Sequence, residues 1–319
     1  MSMKRKITKN LAIAVDIGGT NLRMAIVGSG GKIIKKNVAK TIRKGKSGSV
    51  VAEQIINEIK RLAGKNSLKK YAGIGVSIAG PIDYVKGASV NPPNMNFAFV
   101  PIVGPLKYAL GLSVSIINDC NAGALGEKYF GAGKKVDNLV YITMSSGIGG
   151  GAIMNNNLLL GKDGNAAEIG HMTVDTKYNL ACTCQKGRGH WEAYASGNNI
   201  PKFFRAWTEK NNLETKFPST AKDIFETARK KNKITLRFME ELGKINGRGI
   251  SNVVAAYDPE IIILGGAVTL GNGDLVLRYA KKHIEKLLKL PEIKITKLGE
   301  NAPLLGAAAL AFGYPQKGS

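Results

Sequence analysis

Leu11-Ala12-Ile13-Ala14-Val15-Asp16-Ile17-Gly18-Gly19-Thr20-Asn21-Leu22-Arg23 decides how the rest of this chain is read. Leu11–Val15 is apolar and β-branched, the composition of a buried strand. Asp16–Thr20 predicts a turn, and Asn21–Val27 a second strand. Glycine lets the backbone approach a phosphate closely, and the N–H groups of such a turn supply donors. An aspartate at a strand end can hold a hydrated Mg²⁺, which offsets charge during phosphoryl transfer. A plain hairpin that uses Gly18 and Gly19 for turn geometry is the competing reading. The complete string, with Thr20 and Arg23 directly behind an apolar strand, favours phosphate.

Working outward, Gly28–Gly31 turns the chain into Lys32–Asn37. Val51, Ile55, Ile59 and Leu62 recur at helical period within Val50–Ala63. Tyr71–Ile78 reads as a strand closing on Ala79-Gly80-Pro81. Val114–Ile117 reads as another, followed by a helix over Ala122–Phe130. The logic then repeats. Asn138–Thr143 is a strand, Gly147–Gly151 a turn, Ala152–Asn155 a strand and Ile234–Tyr257 a helix. Glu260–Leu264 is a strand that ends on Gly265-Gly266. Two β-rich halves, each opening on an acidic or glycine-rich turn, predict a duplicated α/β nucleotide-binding fold. The apolar run Pro303–Leu310 reads as a helix returning to the first half. Pattern alone divides the chain into a small α/β domain, 1–118 plus 303–319, and a large α/β domain, 119–302.

A length of 319 residues fits two domains, and 44% apolar residues with 39 glycines fit a globular enzyme. The net charge of +23 is spread along the sequence. No basic motif interleaved with aromatics accompanies it, so a solvated surface that attracts anionic substrates is expected rather than nucleic-acid binding. Three cysteines, two of them in Cys182-Thr183-Cys184, do not make a disulfide framework. They fit a reducing, cytoplasmic setting and a metal. Leu11–Val15 is too short for a signal peptide, and no apolar stretch is long enough to span a membrane.

The densest chemistry lies between residues 144 and 192. Ser146-Gly147-Ile148-Gly149-Gly150-Gly151 is a second glycine-rich segment behind a strand, and as a partner to the first it predicts a second phosphate grip. His171, Cys182, Cys184 and His190 have the ligand types and short spacings of a tetrahedral structural Zn²⁺. Two buried thiols and unrelated histidines are the alternative. One ring nitrogen of His171 can bind metal while the other faces a pocket. Glu168 and Glu192 flank this group. On a metal-ordered loop they can accept hydrogen bonds from sugar hydroxyls.

Three further places carry weaker signals. Asn118-Asp119 stands between a strand and a helix, where a carboxylate points to the ligand crevice of an α/β sheet. A helix cap fits the same position. Asn118 and Asn121 add more hydrogen-bonding groups than a cap needs, which favours catalysis. Asn94, in Asn91-Pro92-Pro93-Asn94-Met95-Asn96, fits a hydroxylated substrate or ordinary turn chemistry equally. Gly265-Gly266 fits a flat adenine or ribose approaching backbone, or a tight turn.

Together these residues resemble the ROK family of repressors, open reading frames and sugar kinases. Met144 through His171 follows its long signature, with Ser-Ser-Gly-Ile-Gly-Gly-Gly-Ala, then Gly161, Ala167 and the terminal Gly170-His171. The resemblance runs from Asp16 to the Leu304–Leu310 helix. It implies a two-domain actin-like ATPase, ribonuclease-H-like α/β fold with an interdomain active-site cleft. It implies transfer of the γ-phosphoryl of Mg·ATP to the C6 hydroxyl of a hexose, glucose first, by a glucokinase or broad hexokinase. N-acetylmannosamine or N-acetylglucosamine kinase is the close alternative, with fructose after these. Asp119 becomes the general base, and Asn94, Asn118, Glu168, His171 and Glu192 become sugar contacts. ATP phosphates fall to Asp16, Gly18, Gly19 and Thr20 and to Ser146, Gly147 and Gly149, and the adenosine side to Gly265 and Gly266. The large domain carries the zinc loop and an oligomerisation surface, and a homodimer or higher homo-oligomer is implied. Members usually show C-x-C-G-x-x-G-C-x-E. Here Gln185 follows Cys184, one residue is inserted, and His190 stands where the third cysteine would be. Histidine binds zinc well, which leaves a two-Cys, two-His site. The family's repressors carry an N-terminal winged helix of about 80 residues. A first strand at Leu11 leaves no room for one, so the kinase is expected over the sugar-sensing repressor.

Overall fold

The computed structural model describes residues 9–64, 67–215 and 218–314. The basic start of the chain and the tail 315–319, which the sequence division gave to the small domain, lie outside the described residues. The chain forms two compact units. The first is Met1–Asp137, Gly151–Ala166 and Asn301–Ser319, and the second is Asn138–Gly150 and Ala167–Glu300.

The first unit opens with strands β1 (Leu11–Ile17), β2 (Asn21–Gly28) and β3 (Ile33–Lys40), helix α1 (Ser49–Ala63) and strand β4 (Tyr71–Ile78). Short strands β5 (Ile82–Asp83), β6 (Ala88–Val90) and β7 (Phe99–Pro101) follow, then helix α2 (Val103–Leu110), strand β8 (Val114–Asn118) and helix α3 (Asp119–Phe130). The main sheet has the order β3-β2-β1-β4-β8, and β5-β6-β7 make a separate antiparallel sheet. β1 is antiparallel to β2 but parallel to β4, and β4 is parallel to β8. The central strands are buried almost throughout, as the β-branched runs require. α1 covers one face because Val51, Ile55, Ile59 and Leu62 fall on a single stripe, all buried against that sheet. Full burial of each such side chain stabilises by about 1.5–3 kcal/mol.

The second unit holds β9 (Leu139–Met144) and the start of β10 (Ile148–Met154), which continues into the first unit and pairs there with β11 (Asn157–Leu158). Helices α4 (Glu192–Ala195), α5 (Ile200–Lys210), α6 (Ala221–Arg229) and α7 (Lys233–Tyr257) come next. Strand β12 (Ile261–Gly265), helix α8 (Ala267–Ala280) and strand β13 (Glu292–Ile295) complete the unit, and helix α9 (Ala302–Ala311) belongs to the first. The second sheet runs β11-β10-β9-β12-β13, with β12 parallel to both β9 and β13.

The division differs from the boundary at 118. α9 packs on α3, β4 and β1, and it takes α3 into the first unit. Close backbone approach makes this possible: a side chain on Gly306 or Gly126 would strike the facing helix. No helix among the described residues is long and apolar enough to cross a membrane.

Candidate active site

In the first unit the carboxyl ends of three neighbouring strands carry the polar groups. Register sets Asp16 of β1 beside Ser77 of β4, and Ile78 beside Asn118 of β8. Ends of parallel strands are where open α/β sheets bind ligands. Asp16 is 4% exposed. Its Oδ1 accepts from Ser77 Oγ at 3.0 Å and its Oδ2 from Arg23 Nη1 at 3.2 Å. Burial pushes the carboxyl up to about 6; Arg23 opposes the rise and the nearby charge of Asp119 adds to it. Such a group gains most from a cation nearby, so the donor set fits the hydrated Mg²⁺ that accompanies ATP.

The turn after β1 is fixed by its neighbours. Gly18 N–H donates to Asn21 O at 3.0 Å, Thr41 Oγ1 to Gly18 O at 2.8 Å, and Thr41 N–H to Thr20 O at 3.0 Å. A Cβ on Gly19 would lie 2.6 Å from Asn94 Cβ. Glycine there lets Asn94 lie directly against the turn, so residues far apart in sequence share one place. The strand runs two residues further than expected, through Ile17, which makes Asp16 a strand residue rather than the first residue of a turn.

The cap and the carboxylate at the head of α3 are separate residues. Asn118 is the N-cap, and its Oδ1 accepts from Cys120 N–H at 2.9 Å and from Asn121 N–H at 3.4 Å. Asp119 is the first helical residue, with Oδ1 3.0 Å from the Cys120 N–H. The helix therefore starts at Asp119, earlier than the periodicity of Ala122–Phe130 indicated.

In the second unit the glycine-rich segment is mostly strand, not turn. Only Ser145–Gly147 turns, closed by Ser145 N–H donating to Gly147 O at 2.8 Å, and Gly149 lies inside β10. The glycines serve packing. A Cβ on Gly147 would lie 2.5 Å from Glu192 Oε2, and one on Gly150 would lie 2.7 Å from Ile169 Cδ1. Ser146 and Gly147 stay at the turn, beside Gly197 and Asn198. Gly265 ends β12, and Gly266, at φ 87°, caps α8. A side chain on Gly266 would meet the backbone of Met144, which only glycine avoids in that left-handed conformation.

His171, Cys182, Cys184 and His190 come together, with one ligand atom from each lying within 4.8 Å of the others. Cys182 Sγ is 3.6 Å from His171 Nδ1, and Cys184 Sγ is 3.7 Å from His190 Nδ1. Around a tetrahedral Zn²⁺ with ordinary bond lengths, adjacent sulfur and nitrogen ligands stand about 3.6 Å apart. The residues fit that ion. Burial pushes the Cys182 thiol up to about 11 and holds His190 below the usual imidazole range. A thiol raised in this way and packed against other ligand atoms suits a cation that deprotonates it. The altered spacing after Cys184 is absorbed by a hairpin, with Ala181 bridged to Arg188 and Gln185 at φ 60°.

The second nitrogen of His171 points elsewhere. Nε2 is 3.8 Å from Glu168 Oε2. Burial raises the Glu168 pKa, His171 opposes the rise, and Glu192 adds to it. Glu192 Oε2 accepts from Ile148 N–H at 2.9 Å and Oε1 from Thr183 Oγ1 at 2.5 Å. Glu168, His171 and Glu192 thus form one group beside the cluster. Ser77, Thr41 and Thr183 escaped the sequence reading. Strand register alone could have found Ser77, and nothing local marks the other two.

A family model described as ROK family matches residues 12–313. The chain is 36% identical over 306 residues to a glucokinase of Pyrobaculum calidifontis, covering 95% of this chain and 96% of that one. A ROK family glucokinase from Streptomyces griseus, solved in complex with glucose and AMPPNP, superposes with a TM-score of 0.73 at 29% identity, covering 94% of this chain and 98% of that chain. The ROK hexokinase from Thermus thermophilus does so with a TM-score of 0.76 at 28% identity, covering 93% and 96%.

Proposed function

The chain belongs to the ROK family, and we propose from that premise that it is an ATP-dependent hexose kinase acting on glucose. Relatives named glucokinase match nearly its whole length at 31–36% identity. The reaction is attack of the sugar C6 hydroxyl on the γ-phosphoryl group of ATP. Mg²⁺, when bound with ATP, neutralises charge on the phosphates.

Asp119 accepts the proton of the hydroxyl. The observation that supports this role is the place of the carboxylate, at the head of α3 directly behind the carboxyl end of β8 and near enough to Asp16 for its charge to raise that group's pKa. A carboxylate is a weak base for an alcohol. It suffices because phosphoryl transfer is loose and positioning dominates. Gly18, Gly19 and Thr20 present backbone donors to phosphate, with Asp16 behind them. Ser146, Gly147 and Gly149 do the same in the second unit, and Gly265 and Gly266 serve the adenosine side. Sugar hydroxyls are held by Asn94, Asn118, Glu168, His171 and Glu192. His171, Cys182, Cys184 and His190 would hold a Zn²⁺, which would stiffen the loop from which Glu192 is positioned. A homodimer or higher homo-oligomer, working in the cytoplasm, belongs to the same proposal.

A coupled ADP-release assay over glucose, N-acetylmannosamine, N-acetylglucosamine and fructose tests it. The reading expects the largest kcat/KM with glucose. Turnover of an N-acetylated sugar in preference would move the substrate, and no turnover of any sugar would remove the kinase.

A further inference from the structure

We infer that Thr183 is a positioning residue that links the Cys/His cluster to sugar affinity by holding the carboxylate of Glu192. The inference rests on the kinase reading above, in which Glu192 receives sugar hydroxyls. Thr183 sits between the two cluster cysteines, Cys182 and Cys184. Its backbone is therefore placed by whatever holds those two sulfurs. Its hydroxyl donates to Glu192 Oε1 at 2.5 Å. The other oxygen, Oε2, is held by Ile148 N–H at 2.9 Å and lies where a side chain on Gly147 would collide with it.

Glu192 is thus fixed at both ends of its carboxylate by two different segments. One is the first residue of β10, whose N–H is backbone and cannot be lost to a side-chain change. The other is the loop that carries the cysteines. Cys182 Sγ also faces Oε1 at 4.0 Å, and as a metal-bound thiolate it would have no proton to donate; a carboxylate oxygen has two lone pairs, so each oxygen then keeps one acceptor site for a ligand hydroxyl. Holding both oxygens fixes where those sites point. Without the Thr183 hydroxyl the carboxylate keeps one anchor and regains a rotation that sugar binding must then freeze. Without metal the same anchor is loosened, because Thr183 moves with its neighbours. Metal retention and sugar affinity are then thermodynamically linked, and the link is reciprocal.

Three proteins separate this role from a structural one: wild type, Thr183→Val and Thr183→Ser. Thr183→Val is nearly isosteric and lacks the hydroxyl; Thr183→Ser restores it. Wild-type turnover of glucose tests the kinase reading by itself. The inference is tested by ratios between variants. Thr183→Val is expected to keep one equivalent of zinc and a kcat within twofold, with the glucose KM raised about tenfold, the scale of one hydrogen bond to a charged group. Thr183→Ser should return KM to within about twofold of wild type. Zinc release to a chromogenic chelator gives a readout independent of turnover. Saturating glucose should slow release in wild type and Thr183→Ser and slow it less in Thr183→Val, where His171 alone joins metal to sugar; equal slowing in all three proteins overturns the inference. The inference is overturned by an unchanged KM in Thr183→Val, by a fall confined to kcat, or by loss of zinc from that variant. It is equally overturned if glucose fails to slow zinc release from wild type.

Discussion

Replacing Asp16 by asparagine removes a charge from a place where burial disfavours one. The carboxyl is 4% exposed, and its pKa rises from 3.8 to about 6. At about 1.36 kcal/mol per unit, the ionised side chain costs the fold about 3 kcal/mol relative to the protonated one. The raised pKa means that the folded state holds the proton more tightly than the unfolded chain. The stability this group contributes is complete below about pH 4 and is lost as pH rises through about 6. The asparagine side chain of Asp16→Asn stays neutral and keeps an acceptor for Ser77. It gives up the pairing with Arg23, whose side chain is 22% exposed and can turn to water. The pKa of about 6 already includes the pull of Arg23, so this loss adds no further offset. The variant should therefore gain about 3 kcal/mol at pH 7.5, a rise of roughly 6–12 °C in Tm for a unit of this size. At pH 5 the native carboxyl is mostly protonated already, and the gain should shrink by about 1.4 kcal/mol. Urea titrations of both proteins at pH 5 and 7.5 read this directly. The same variant should lose kinase activity if, as proposed, Asp16 serves ATP binding behind the glycine turn. A gain independent of pH, or a destabilisation that grows with pH, would refute the reasoning.

The other perturbations are local. Purified protein should hold one equivalent of zinc by atomic emission; Cys184→Ser should reduce this to trace amounts and lower Tm, whereas full zinc in that variant would remove Cys184 from the cluster. Gly147→Ala places a methyl group on Glu192 Oε2 and should raise the glucose KM about tenfold with a smaller effect on kcat, provided that Glu192 holds the sugar. Asn118→Ala removes the cap of α3 and should cost about 1 kcal/mol in denaturant unfolding, beyond any effect on turnover.

Much of the architecture was legible because burial writes itself into composition. Leu11–Ile17, Tyr71–Ile78 and Ile261–Gly265 are strands buried on both faces, and each is a mostly apolar run, broken by Asp16 in the first and Ser77 in the second, that ends near glycine or proline. α7 shows its period over many turns. The strands β5, β6 and β7 are two or three residues long and leave no alternation to read. The glycine-rich segment misled for a physical reason. Glycine marks turns by its conformational freedom, but in β10 it is needed for what packs against it, and a sequence does not say which.

The site was legible by residue type rather than by geometry. Cysteine and histidine are few in this chain, so their gathering between His171 and His190 was visible without coordinates. Asn118 and Asp119 were both marked, but only the structure assigns the cap to one of them. Thr183 carried no signal, because a threonine between two cysteines becomes informative only when the loop folds onto Glu192.

Asp119→Asn is the variant that bears most directly on the account. Steady-state glucose phosphorylation and calorimetric glucose binding should be measured on it beside wild type. The account predicts a fall in kcat of about 10²–10⁴-fold, the range of general-base catalysis, with glucose affinity within about threefold. Turnover near the wild-type rate would contradict it.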